Sequence, residues 1–284
     1  MLLISAAQVL QKRARYDPGM ATPQGRPEAI VRPQAVARAF TVERIAPSAA
    51  LAEFVDYHWL VRWNLDEPHT QQVVPQPRVH VVAESGRLYV HGVTRHRFER
   101  RLSGSGQALG TAFHPAGFHP VLRGSVDALA DTVRTADEVL SLDDEPIARR
   151  ILGSEDPATM VAAMEGYLLA LDPGHDPVAR DVTAWVQRAD DDSSITRVGQ
   201  LADRIGVSPR TLQRLFAEHV GVGPKWVIQR FRILEAAAAA HTGEVTDWAR
   251  LAHELGFSDQ AHLTRVFADV VGTPPATYQR EATS

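Results

Sequence analysis

Leu201-Ala202-Asp203-Arg204-Ile205-Gly206 is echoed later in the chain by Leu251-Ala252-His253-Glu254-Leu255-Gly256, and the echo continues past the glycine. Leu212, Arg214, Phe216, Gly221 and Pro224 find counterparts in Leu263, Arg265, Phe267, Gly272 and Pro275 once one extra residue is allowed in the second copy. Duplication of this kind marks one supersecondary unit used twice. In the first copy Ile195, Val198, Leu201, Ala202 and Ile205 share a helical face, and Gly206 stands where a helix C-terminus needs a left-handed backbone. Ser208 is placed to cap the next helix, and Pro209 suits its first position because that N–H has no intrahelical partner. There Leu212, Leu215, Phe216 and Val220 are expected to point inward, leaving Arg210, Thr211, Gln213, Arg214, Ala217 and Glu218 outside.

The second copy repeats the plan. Trp248, Leu251, Ala252 and Leu255 pack inward, Gly256 ends the helix, and Ser258 or Asp259 caps its successor. Leu263, Val266, Phe267 and Val270 anchor that helix while Gln260, His262, Thr264 and Arg265 face out. Between the copies Pro224 to His241 reads as one helix ending near Gly243, about 27 Å long at roughly 1.5 Å per residue. Successive major-groove faces lie about 34 Å apart, so such a helix can hold two readers on one side of a duplex.

A helix, a glycine turn and a capped helix with long polar side chains exposed is the helix-turn-helix pattern. Arginine can bond two acceptors of guanine, and glutamine can read the donor and acceptor of adenine together. With Leu212-Gln213-Arg214-Leu215-Phe216, Gly256-Phe257-Ser258, Leu263-Thr264-Arg265-Val266-Phe267 and Thr273-Pro274-Pro275, residues 178–284 resemble the DNA-binding domain of the AraC/XylS family. The resemblance implies a sequence-specific transcription regulator acting on double-stranded DNA, with base contacts at Arg210, Gln213 and Arg214, flanked by Thr211, in the first unit (about 194–221). In the second (about 245–272) it implies contacts at Gln260, His262, Thr264 and Arg265.

Charge divides the two units. From Arg197 to Arg232, Arg197, Arg204, Arg210, Arg214, Lys225, Arg230 and Arg232 face only Asp203 and Glu218. From Ile233 onward, Arg250, Arg265 and Arg280 face Glu235, Glu244, Asp247, Glu254, Asp259, Asp269 and Glu281. Phosphate attraction dominates affinity, so the first unit is expected to supply most of the binding. The second is expected to be a weaker reader and a surface for RNA polymerase. The stretch Arg230 to Arg232 reads equally well as a solvated helix face.

Ahead of this region the pattern is mixed. Residues 1–37 carry Pro18, Gly19, Pro23, Gly25, Pro27 and Pro33 with little periodicity, which predicts a flexible extension. Residues 38–172 read as a β-rich effector-binding or dimerisation domain with a helical tail, closed by the breakers Asp172-Pro173-Gly174-His175-Asp176-Pro177. Tyr57, Trp59, Val61 and Trp63 alternate with His58, Leu60 and Arg62, and the aromatic stripe is expected to form the inner wall of a small barrel or sandwich. Further strands are expected at 71–74, 78–83, 87–91, 95–102 and 107–113, with turns at Glu84-Ser85-Gly86 and around Gly104 and Gly106. Val126, Leu129, Ala130 and Val133 share a helical stripe, as do Ile147, Ile151 and Leu152, and then Val161, Met164, Leu168 and Leu171. Tyr57, Trp59, Trp63, His80 and His91 form a candidate pocket for a small-molecule effector.

Through Tyr57-His58-Trp59, Gln72-Val73-Val74-Pro75 and the run Gly110 to Phe118, the region also resembles uncharacterised sensor domains that precede such DNA-binding domains, implying a cupin-like β fold. The expected class is therefore α+β, a cupin-like β domain with following helices and then an all-α domain. His114 and His119 in Phe113 to Pro120, and His80 with Glu84, suggest an alternative: a metal-dependent cupin-type enzyme or metal sensor fused to a DNA-binding domain. The spacing completes no ligand set, so no metal, cofactor or enzymatic activity is assigned. The chain of 284 residues has no cysteine, which removes disulfides, thiolate metal sites and cysteine nucleophiles. Its net charge of -4 gives no global attraction to nucleic acid. No signal peptide or membrane span is expected, and a cytoplasmic monomer or homodimer is.

Overall fold

The computed structural model describes residues 40–283, except 242, 244 and 246. The expected flexible extension, residues 1–37, lies outside the described residues.

Six strands form one antiparallel sheet: β1 (Phe40–Ile45), β2 (Val55–Val73), β3 (His80–Glu84), β4 (Arg87–His91), β5 (Phe98–Phe113) and β6 (Val133–Thr135), in the order β1-β2-β5-β3-β4-β6. Its two edge strands, β1 and β6, do not pair, so the sheet is open and the expected barrel is not closed. The β3–β4 turn is the expected one. Ser85 and Gly86 have φ of 49° and 81°, the two left-handed residues of a tight hairpin.

Two other expected breaks are absent, because β2 and β5 each run through as one long strand. Their ladder shifts register between Leu65 and His69, where Pro68 has no N–H to offer a ladder. Opposite that shift, Gly104 takes φ 58°. Gly106 makes room rather than a turn: a Cβ there would lie 2.5 Å from the Trp63 ring.

The alternation along β2 was legible, but the core face is the opposite one. His58 and Leu60 are buried, and Leu60 joins Val81, Leu88, Val90, Leu109 and Phe113 in the first core cluster. That face is covered by α3 (Glu145–Leu152) and α4 (Pro157–Ala170), through Ile151, Met160, Met164 and Leu168. His58 reaches Thr111 Oγ1 at 2.8 Å and Glu165 Oε1, on α4, at 3.2 Å.

Two short helices, α1 (His119–Leu122) and α2 (Ala136–Leu140), flank a single 3-10 turn at Val126–Leu129. The helix expected through Val133 gives way there. Asp131 takes φ 57° and holds Arg95, which reverses the chain into β6 and leaves Val133 exposed on the sheet edge.

The rest is helical: α5 (Pro177–Asp191), α6 (Val198–Ile205), α7 (Pro209–Val220), α8 (Pro224–His241), α9 (Trp248–Glu254), α10 (Gln260–Val271) and α11 (Pro275–Thr283). A second cluster joins α5 to α8 through Val182, Leu201, Leu212, Phe216 and Val227, and takes in Val93 and Ala116 from the sheet region. A third gathers α8 to α11 around Ala236, Ala237 and Ala240, against Leu263, Phe267 and Tyr278. The alanine run thus lets bulky neighbours approach α8 closely.

Arg230 and Arg232 are buried on α8, so neither belongs to a solvated face. Arg232 donates to the carbonyls of Ala189 at 2.8 Å and Asp192 at 3.1 Å, satisfying the C-terminus of α5 where a cation also meets the helix dipole. Arg230 Nε donates to the Pro75 carbonyl, and burial lowers its guanidinium to about 9.

Candidate nucleic-acid interface

The first helix pair is built by its turn. Gly206 has φ 74° and Val207 N donates to Ala202 O at 3.1 Å, closing the C-terminus of α6. Ser208 Oγ then accepts from Thr211 N at 3.1 Å and caps α7. At the other end of α6, Gln200 Oε1 accepts from the N–H groups of Thr196 and Arg197, each at 2.9 Å. Leu212, Phe216 and Val220 are buried, which leaves Arg210, Gln213 and Arg214 exposed and Thr211 half-buried beside the cap. Arg214 Nη1 is 2.8 Å from Glu218 Oε2, one turn away.

The second pair repeats the turn, with its cap moved one residue on and changed to a carboxylate. Gly256 has φ 79°, and Phe257 N donates to Ala252 O at 2.9 Å. Of the two expected caps Asp259 takes the role, accepting from His262 N at 2.7 Å. That bond, then the Ser258 hydroxyl, holds the Asp259 carboxyl below its usual range. Gln260 and Arg265 are exposed, while Thr264 is half-buried. His262 is half-buried too and tied down, with Nδ1 3.1 Å from Ser258 Oγ and its ring edge-on to Phe257.

The two pairs touch, which the sequence did not reveal. A Cβ on Gly256 would lie 2.5 Å from Thr196 Cβ, so the second turn is pressed onto the start of the first pair. Beside this contact lies a cleft of about 410 Å³, lined in part by Arg197, Lys225, Gln229, Gly256, Ser258 and His262. The exposed cations Arg197 and Lys225 and the polar side chains around them suit a phosphate.

The structure also revises the charge count. With Arg230 and Arg232 buried, the solvent-facing cations of the first unit fall from seven to Arg197, Arg204, Arg210, Arg214 and Lys225. Arg204 is further held by Asp192 and by Ser194. The second unit keeps Arg250, Arg265 and Arg280 exposed, with Arg250 near Glu254 at 3.6 Å.

Only the first part of α7 is open. Its C-terminal part docks on the sheet region, where a Cβ on Gly221 would come within 3.0 Å of the Val126 carbonyl. There the buried His219 stacks on His119 of α1, with centroids 4.0 Å apart. His119 Nδ1 meets Asp176 Oδ2, the N-cap of α5, at 2.7 Å. Burial alone raises Asp176, but the Ala179 N–H and His119 outweigh it and keep the carboxyl below its usual range. Burial, then His119, lowers His219.

The residues expected to form an effector pocket share the outer face of the sheet. The Trp59 ring lies across Gly110, where a Cβ would come within 2.1 Å, and its Nε1 donates to His80 Nδ1 at 3.2 Å. His80 pairs in register with His91, and Arg44 sits 3.8 Å over the Tyr57 ring. Burial, then Arg78 and His91, push His80 down to about 3. Trp63 Nε1 donates to Ser103 O at 3.3 Å. The stripe is therefore no inner wall; its indole rings pack flat on the glycines of β5. His114 Nε2 lies 3.3 Å from Ala52 O, and His114 and His80 belong to no shared group of metal-ligating side chains among the described residues.

Residues 201–281 match a family described as a helix-turn-helix domain, and residues 43–135 match a domain of unknown function, DUF6597. Over 121 residues the chain is 34% identical to a Streptomyces lividans protein whose name describes it as an AraC-like transcription regulator, spanning 43% of this chain and 38% of that one. Over 86 residues it is 33% identical to the HTH-type transcriptional activator RhaS of Pectobacterium carotovorum, 30% of each chain. It thus spans well under half the length of these relatives. Among solved structures, the C-terminal domain of AraT from Geobacillus stearothermophilus shows 21% identity and a TM-score of 0.32 over 37% of this chain and 86% of that one. ToxT from Vibrio cholerae shows 11% and 0.36 over 87% and 100%. Among the described residues no helix is long and apolar enough to cross a membrane.

Proposed function

We propose that this chain, in which an AraC-type helix-turn-helix domain follows a DUF6597 domain, is a transcription regulator that binds specific sequences in double-stranded DNA. The observation that carries this reading is α7, which buries Leu212, Phe216 and Val220 and offers Arg210, Gln213 and Arg214 to solvent in a row. That row enters a major groove, with Arg210 and Arg214 on guanine and Gln213 on adenine. Gln260, Thr264 and Arg265 on α10 read a second, weaker site, with His262 at its margin. Arg197 and Lys225 hold the intervening phosphates.

Control passes through the N-terminal region, by a small molecule or a second copy of the chain. What supports this is direct mechanical contact: Val126 on the C-terminal turn of α7, and Pro75 on Arg230 of α8. A ligand shifts the arrangement only by binding one form more tightly than another. The regulator acts in the cytoplasm, and RNA polymerase meets the acidic second unit.

The test begins with a site selected by the full chain from random duplexes. Its binding constant is expected to fall linearly with salt on logarithmic axes, by roughly 0.9 per phosphate held. Arg210→Ala and Gln213→Ala are each expected to relax preference at one base pair, by about 1–3 kcal/mol. Binding with no sequence preference, or with preference untouched by both substitutions, overturns the proposal.

A further inference from the structure

The two stacked histidines where the sheet region meets α7 have no part in reading DNA. Nδ1 of His119 faces the Asp176 carboxylate at 2.7 Å, and Nδ1 of His219 faces the Leu215 carbonyl at 3.1 Å. Both acceptors lack a proton to give, so each neutral ring carries its proton on Nδ1 and keeps the lone pair on Nε2. A histidine whose other nitrogen is held by a carboxylate or a main-chain carbonyl is the form in which imidazole binds metal ions. Glu218 adds a carboxylate, and a ring nitrogen from each histidine and a Glu218 oxygen all lie within 4.8 Å of one another. No other such group of histidine and acidic side chains occurs among the described residues.

We infer that His119, His219 and Glu218 form a binding site for a divalent transition-metal ion such as zinc or cobalt, which clamps α7 to the sheet region. Two imidazoles and one carboxylate are a ligand set that suits these ions, with water in the fourth position. A tetrahedral ion spaces its ligand atoms by about 3.3 Å, so the site closes by side-chain rotation, of the half-exposed Glu218 and of the two stacked rings, whose in-plane lone pairs must turn toward one point. Asp176 also stands 3.8 Å from His219 Nε2, and its negative charge favours a cation there.

The site is wired to the reading face. Glu218 is the ion-pair partner of Arg214, so an ion that takes the Glu218 carboxylate releases the guanidinium and removes a negative charge from beside the duplex. This coupling rests on the DNA-binding function proposed above; the metal site does not.

Metal-free full-length protein is dialysed against zinc or cobalt and the bound metal is measured. One ion per chain is expected, with the visible absorption of four-coordinate cobalt, and His119→Gln and Glu218→Gln are each expected to weaken binding about tenfold or more. Both residues are partly exposed, so these variants avoid the folding risk of replacing the buried His219; unchanged thermal melting of the metal-free forms confirms it. No stoichiometric binding at millimolar metal, or binding unaltered in both variants, overturns the site. With the selected duplex, zinc is expected to tighten binding roughly threefold, the worth of one exposed charge pair, and to have no effect in Glu218→Gln. Stoichiometric metal with unchanged DNA affinity overturns the coupling. Protein that binds metal as expected but no duplex leaves the site standing and overturns the functional proposal instead.

Discussion

In the first helix pair Gly206 turns the chain with open space beyond its α carbon, whereas Gly256 makes the same turn in the second with the Thr196 side chain pressed against it. The two φ angles, 74° and 79°, and the hydrogen bonds behind them are nearly the same. The local code was copied and its surroundings were not. The first pair keeps an open turn and more solvent-facing cations, and its α7 is backed by the sheet region. The second has a crowded turn, an acidic cap and a half-buried His262. The two copies therefore share one turn but differ in how tightly it is packed and in how many cations they expose.

The largest expected effect tests the turns. Gly206→Ala forces a left-handed alanine into open space and is expected to cost about 1–2 kcal/mol. Gly256→Ala adds a clash with Thr196 to the same strain and is expected to cost about 3 kcal/mol or more in urea unfolding of the full chain. Equal losses would mean that the Thr196 contact gives way freely, and that the pairs are less firmly joined than the geometry shows.

Next in size is the reading itself. Arg214→Ala is expected to weaken binding to the selected duplex about tenfold or more, and Arg265→Ala only a few-fold. A loss at Arg265 matching that at Arg214 breaks the proposed asymmetry. A gap that narrows with added salt sharpens it, since screening removes the difference in phosphate attraction first.

The smallest effect separates the caps. Asp259 has a folded pKa below its ordinary value of 3.8, so its contribution to α10 is complete above that value and is lost as pH falls through the folded one. Ser208 does not titrate in that range. Amide exchange at the start of α10 is therefore expected to quicken below about pH 4 relative to the start of α7. Parallel quickening at both would show that global unfolding, not the cap, governs the second helix.

Much of the helical half was legible because its signals are local. The glycine and serine at positions 206 and 208 fix a turn and a cap between neighbours in sequence, and Pro224 to His241 proved to be one helix with the expected ends. In the sheet, alternation along β2 was legible, yet the core face was not. Large aromatic rings suggested the interior, but α3 and α4 cover the other side and bury His58 and Leu60. Gly104 and Gly106 were misread as a turn because glycine serves equally to bend a strand and to make room for an indole. Arg230 and Arg232 looked like exposed cations, since nothing nearby in sequence announces that their partners are Pro75 and the last carbonyls of α5.

By itself the sequence determined the repeated unit, its turns, the Ser208 cap and the outward stand of Arg210, Gln213 and Arg214, because these depend on helical period and on hydrogen bonds a few residues long. Only the tertiary structure decided which sheet face is buried, that Gly256 lies against Thr196, and that His119 meets His219. Each depends on surfaces brought together from distant parts of the chain, and shape and charge complementarity across such contacts leave no periodic trace in the order of residues.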